Sequence, residues 1–194
     1  MQFKRMFTTD AYKGTCGYLR TQKNYEILRT ALYFAISLSL FIAGWVSTGS
    51  RENLLTIVAV LGCLPACKSL VEMFMFLRYK GCDEKDAAQI AAHTGGLTGL
   101  YDMVFTSYEK NYVIHHLTVC GNTVCGYTTD PKFAEQAFYK HIQDILKKDN
   151  YREVSVKIFN DLDKYLKRCE QLKELPAQPE LSAGICQTLK SVSL

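Results

Sequence analysis

The chain lacks a glycine-rich loop set between a strand and a helix, the context in which backbone amides cradle phosphate; Gly95-Gly96 with Gly99 stands outside it. A nucleotide-binding loop is therefore excluded. Nor is there a Gly-x-Ser-x-Gly elbow, so the serine nucleophile of the α/β hydrolases has no counterpart. No complete catalytic motif stands out anywhere. Eight cysteines are present, at positions 16, 63, 67, 82, 120, 125, 169 and 186, but they are scattered rather than gathered into an extracellular framework. No structural disulfide is expected. A one-sided charge is also missing: the net charge is only +4, and most of the excess precedes the first apolar run, where it bears on membrane topology before it bears on nucleic acid.

What the chain does have is apolar length. Residues 30–49, TALYFAISLSLFIAGWVSTG, are followed by a polar break, SREN, and then by residues 54–77, LLTIVAVLGCLPACKSLVEMFMFL. Each run holds about 20 residues or slightly more, and at roughly 1.5 Å of helical rise per residue each can cross a hydrocarbon layer of about 30 Å. The expectation is a two-helix transmembrane hairpin over 30–77. Ahead of it, residues 1–29 carry Lys4, Arg5, Lys13, Arg20, Lys23 and Arg29 against Asp10 and Glu26, whereas the break between the runs holds just Arg51 and Glu52. The positive-inside bias keeps such a flank in the cytoplasm, so both termini are expected there. Tyr18, Tyr25 and Tyr33 toward the inner boundary and Trp45 toward the outer one suit the interfacial preference of amphipathic rings. The polar stretch before the first run is too long for an ordinary cleavable signal, which predicts a retained anchor.

Lys68 and Glu72 interrupt the second run, four residues apart on one helix face, with Pro65 as a kink point. Ionisable groups at membrane depth are costly and call for a role. Two roles present themselves: an ion pair facing the first helix or a homo-oligomer interface, and a transport or proton path requiring several assembled copies. Gly62, Cys63, Ala66, Cys67 and Ser69 suit close helix packing.

Residues 78–173 read as a small cytoplasmic α/β domain. A helix begins near Asp83 and stops at Gly95-Gly96; three strands follow over about 101–107, 111–120 and 123–128, with Gly121-Asn122 closing the second hairpin. The central strands do not alternate cleanly, which predicts burial on both faces. Asp130 as N-cap and Pro131 at the first position predict a helix to about 149, with Phe133, Ala137, Phe138, Ile142, Ile145 and Leu146 as its apolar stripe. A strand over 153–160 and a helix opening at Asp161 complete the domain. Residues 174–194, punctuated by Pro176 and Pro179, read as a linker and tail ending in a weakly amphipathic stretch.

This order of helix, three-strand meander, helix, strand and helix, together with YDMVFTSYEKNYVIHHLTVCGNTVCGY, resembles the core of the restriction-endonuclease-like (PD-(D/E)xK, nuclease-related) superfamily over about residues 83–170. The resemblance implies Asp102 at the position of the metal-binding Asp and places the acidic residue and the lysine of the motif at 115 and 117. Those positions hold His115 and Leu117, which the strand period sets on one face. One Asp with a neutral imidazole is a poor cage for a hard divalent metal, so the implied nuclease site is eroded; Glu109 or His115 would have to complete it.

A zinc site is the competing constellation. With Gly121-Asn122 as a two-residue turn, Cys120 pairs with Thr123 and Thr118 with Cys125, which sets His116, Cys120 and Cys125 on one sheet face and His115 on the other. The alternative makes the cysteines small buried residues and His116 a hydrogen-bonded core group. Lys140, His141, Lys147, Lys148, Lys157, Lys164, Lys167 and Arg168 could face nucleic acid or anionic lipid, but interleaved carboxylates favour a solvated face. The expectation is thus an integral membrane protein in contact with lipid, whose cytoplasmic domain is a non-catalytic interaction or regulatory module for a protein partner of unstated identity. The alternatives are a membrane-tethered, metal-dependent nuclease and a small oligomer acting through Lys68 and Glu72.

Overall fold

A computed structural model describes residues 10–50, 52–108, 110–176 and 178–194. Lys4, Arg5, Arg51 and Glu109, named above, lie outside them. The chain divides into two units, one containing residues 19–80 and the other residues 10–18 with 81–194.

In the first unit, helix α1 (Tyr18–Thr48) and helix α2 (Leu54–Arg78) are long and apolar enough to cross a membrane. Only 17% of the apolar window of each is buried, unlike the core helix of a soluble protein. The turn between them is built by side chains: Asn53 caps α2 by accepting the Thr56 N–H at 2.8 Å, and its amide donates to Thr48 Oγ1 at 3.1 Å. Small residues seal the helix contact, with Ala59, Ala66, Ser37 and Ser69 buried. A Cβ on Gly62 would sit 2.8 Å from Ser37 Oγ, so a larger residue there would force the buried Ser37 hydroxyl to turn away.

The second unit is α/β. Helix α3 (Glu84–His93) precedes strands β1 (Thr98–Thr106), β2 (Asn111–Cys120) and β3 (Thr123–Tyr127); helix α4 (Glu135–Lys148), strand β4 (Ser155–Phe159), helix α5 (Leu162–Lys173) and helix α6 (Pro179–Val192) follow. The sheet order is β1-β2-β3-β4, antiparallel except for the parallel pair β3–β4. Helices cover both faces. Phe105, Tyr112, Ile114 and Leu117 pack with Phe138, Ile142 and Leu146 of α4 and Ile185 and Leu189 of α6. On the other face Cys125 and Tyr127 pack with Ile90 of α3 and Tyr165, Cys169 and Leu172 of α5.

Three expectations need correction. Asp130 does not cap α4: its carboxylate accepts the Lys132 N–H at 2.9 Å and its carbonyl accepts the Phe133 N–H at 3.2 Å, closing a turn before the helix begins. Residues 174–194 are not a linker and tail. Helix α6 buries Ile185, Cys186 and Leu189 in the core, and Leu194 N–H donates to the Val104 carbonyl at 2.9 Å on the edge of β1. The third concerns the strand period that set 115 and 117 on one face: Leu100 and Met103 join one core cluster, as do Ile114 and Leu117, although each pair is three residues apart. Strict alternation is broken between them, on two neighbouring strands at the same level.

Candidate functional site

That break is centred on Asp102 and His115, which the register sets opposite each other between the pairs Tyr101–His116 and Met103–Ile114. Asp102 has φ of 54°, a left-handed conformation that aspartate tolerates better than most residues, and so turns its side chain out of phase with the strand. Its carboxylate is buried and accepts the Cys82 N–H at 2.7 Å. A Cβ on Gly81 would lie 2.9 Å from Oδ2, so only glycine lets the chain pass this close. His115, 7% exposed, shares a hydrogen bond between Nε2 and Thr129 Oγ1 at 2.8 Å, while Nδ1 has no partner among the described residues. Its ring lies 6.1 Å from that of Tyr127, whose hydroxyl donates to Asp86 of α3 at 3.1 Å.

The electrostatics follow from this enclosure. Burial holds the His115 imidazole below its ordinary value, against the opposing pull of Asp102, Asp86 and Asp83. Burial likewise pushes the Cys82 thiol up to about 12, with Asp102 and Asp86 adding to it, and Tyr127 is raised to about 12 by burial and by its bond to Asp86. Enclosure thus favours the neutral form of the imidazole, while the Asp102 carboxylate is engaged by the Cys82 N–H. The register sets Asp102 and His115 opposite each other, but Leu117 is not on their side; it packs into the α4 and α6 cluster. His115 and His116, consecutive in sequence, both reach rings on the α3 and α5 side, so the expected opposition of their faces does not hold. Among the described residues, no three His, Cys, Asp or Glu side chains are placed to hold a metal ion.

The zinc constellation has the expected register: Cys120 pairs with Thr123 and Thr118 with Cys125. Its members bond to protein groups instead. His116 Nδ1 lies 2.6 Å from the Tyr165 hydroxyl, which also meets Thr118 Oγ1 at 2.7 Å, and Cys120 Sγ donates to the Leu172 carbonyl at 3.5 Å. Burial lowers His116 to about 3 and raises Cys125 to about 11, which keeps the imidazole neutral and the thiol protonated. Zinc would need the thiolates. Tyr165, whose spacing with Leu162, Leu166, Cys169 and Leu172 marks it only as part of the apolar stripe of α5, is the centre of this network.

In the helical unit, Glu72 finds a different principal partner from the one its spacing suggests. Arg29 of α1 pairs with both Glu26 and Glu72, and its Nε donates to Ser69 Oγ at 3.3 Å. Thr30 and Ser69 share a bond at 2.8 Å, and Gln22 donates to Glu26 at 2.9 Å. Lys68 Nζ stands 3.9 Å from Glu72 with its side chain 80% exposed. A sequence signal for Arg29 did exist: it and Glu72 lie about twenty residues on either side of the turn, and helices pairing antiparallel from a short turn bring such positions level.

No family model matches the chain, and no curated protein or solved structure matches it either.

Proposed function

We propose that this is an integral membrane protein whose hairpin, residues 30–77, leaves both termini in the cytoplasm, and whose α/β unit is a non-catalytic interaction or regulatory module held at the membrane surface. Membrane lipid is then its constant neighbour. The hydrogen bond from Cys82 N–H to the buried Asp102 carboxylate carries the reading for the α/β unit. A metal ligand in a nuclease keeps its oxygen lone pairs turned to the ion and to solvent, whereas Asp102 ties the start of the unit to strand β1. The exposed apolar lengths of α1 and α2 support the anchor.

The restriction-endonuclease-like reading remains as the second proposal because of one observation: a left-handed Asp102 opposite a buried imidazole with a bare Nδ1 is the kind of local strain that functional sites retain. Full-length protein in lipid nanodiscs, incubated with Mg²⁺ or Mn²⁺ and supercoiled plasmid, separates the two. The expected result is no cleavage above that of empty nanodiscs. Cleavage abolished by Asp102→Asn would overturn the non-catalytic reading in favour of the nuclease.

A further inference from the structure

The two edges of the sheet are treated differently. Strand β1 is bridged on its outer side by Gly14 at Tyr101 and by Ser193 at Phe105. Strand β4, at the other end, has no strand on its outer side among the described residues. Its hydrogen-bonding phase can be read from its ends: Ser155 N–H donates to the Asn122 carbonyl at 2.8 Å and the Phe159 carbonyl accepts the Thr128 N–H at 3.0 Å. Residues 155, 157 and 159 therefore turn their peptide groups toward β3, and Val156 and Ile158 turn theirs outward. Such an edge is a template for another strand unless charge or a covering element prevents it.

The charge on the α5 side of this edge has one sign, whereas the other side carries Glu135 and Asp161. Lys157, Phe159, Lys164, Lys167, Arg168 and Gln171 line a groove of about 460 Å³; a second cleft of about 240 Å³ shares Phe159 and Lys164 with it and continues to Ile158 and Phe133, with Glu135 and Asp161 on its wall, so acidic side chains are favoured on the α5 side alone. Lys157 Nζ sits 5.4 Å from the centre of the Phe159 ring. Asp161 meets Lys164 at 3.7 Å, but three further cations line the larger groove with it.

We propose that the outer edge of β4 binds an acidic, extended peptide segment of a partner protein as a fifth strand. Main-chain bonds to Val156 and Ile158 would supply the pairing. Side chains at alternate positions of the added strand would face α5, where carboxylates meet Lys157, Lys164, Lys167 and Arg168; the intervening positions would face Ile158 and Phe133 and suit apolar groups. A duplex or single-stranded nucleic acid offers the charge but not the peptide ladder, and an anionic bilayer offers neither the ladder nor the alternation. The proposal rests on the interaction-module reading and names its partner class.

The test uses full-length protein in zwitterionic nanodiscs and a fluorescein-labelled seven-residue peptide of alternating Val and Glu, followed by anisotropy. Saturable binding is expected, weakened at least about tenfold in the Lys157→Glu/Lys167→Glu variant and by raising salt from 50 to 500 mM. Replacing alternate valines of the peptide by proline, which removes main-chain donors without changing charge, is expected to cost about tenfold as well. Absence of binding, equal binding of the proline peptide, or tighter binding of a single-stranded oligonucleotide of equal charge or of phosphatidylserine vesicles would each overturn the proposal. Failure here with no plasmid cleavage leaves the non-catalytic reading standing, whereas cleavage removes that reading itself, so the two fail separately.

Discussion

Two polar clusters, one in each unit and each with buried members, solve the same problem by opposite means. In the helical unit the groups around Arg29 are charged and paired, a guanidinium between the carboxylates of Glu26 and Glu72. In the α/β unit the groups around Tyr165 and His115 are hydrogen-bonded and kept neutral, apart from Asp102, which a backbone amide holds. The difference lies in what each scaffold offers. A helix satisfies its own backbone, so a carboxylate buried beside it, as Glu26 is, needs a cation, which Arg29 supplies while also reaching Glu72 of the neighbouring helix. In the sheet unit, loop amides and hydroxyls stand ready beside the strands, and dehydration is met by shedding charge.

The comparison breaks most forcefully at Arg29. Arg29→Met leaves the buried Glu26 without its guanidinium, while Glu72, about a third exposed, keeps Lys68 at 3.9 Å. The substitution is expected to destabilise the hairpin by about 2–3 kcal/mol, measured by thermal or denaturant unfolding in detergent. Adding Glu26→Gln and Glu72→Gln to it is expected to restore most of the loss. A triple variant as unstable as the single one would show that packing at Ala66 and Ser69, and not charge balance, holds the helices.

Next in size is Tyr165→Phe, which removes the hydroxyl shared by His116 and Thr118 and leaves both buried; about 1–3 kcal/mol is expected in urea denaturation of the full chain. Asp102→Ala should cost a similar amount, because the Cys82 N–H loses its acceptor and alanine fits φ of 54° poorly. Asp102→Asn, which keeps a carbonyl acceptor and tolerates that φ, should cost clearly less.

The pH response sharpens the contrast. Folding lowers His116 from 6.5 to about 3, so the unfolded chain binds more protons than the folded one between those values. Stability of the α/β unit is then complete above about pH 6.5 and falls as the pH drops toward about 3, with His115 acting in the same direction. His116→Gln should flatten this acid limb in urea titrations at pH 5 and 7.5. The smallest effect is chemical: Cys186, raised to about 11 by burial, should react with a thiol reagent at neutral pH far more slowly than exposed Cys16.

Much of the architecture was legible in the sequence, for physical reasons that can be named. Strand β2 and the Gly121-Asn122 turn follow from β-branched residues and a turn pair; φ of 53° at Gly121 is what that turn demands. Asp161 caps α5 as its spacing predicts, accepting N–H bonds from Asp163 and Lys164. Helix α6 was hidden because Pro179, read as a breaker, also fits the first turn of a helix, where no amide partner is lost. The phase break at Asp102 was hidden by burial on both faces, which masks alternation in β1 and β2. At the candidate site, the resemblance drew attention to Asp102 and His115 but not to the phase break between them, whereas Tyr165 and Arg29 lie on other elements and meet their partners through tertiary packing.

The most direct measurement is a metal titration. Full-length protein in nanodiscs, prepared without chelator, is assayed for bound metal and then titrated calorimetrically with Mn²⁺ and Zn²⁺, beside Asp102→Asn and Cys125→Ser. Less than a tenth of an equivalent of metal, with the same weak response in all three proteins, is the result expected if Asp102 serves the backbone and His116, Cys120 and Cys125 serve the core. One equivalent of either ion, lost in Asp102→Asn or in Cys125→Ser, would contradict it.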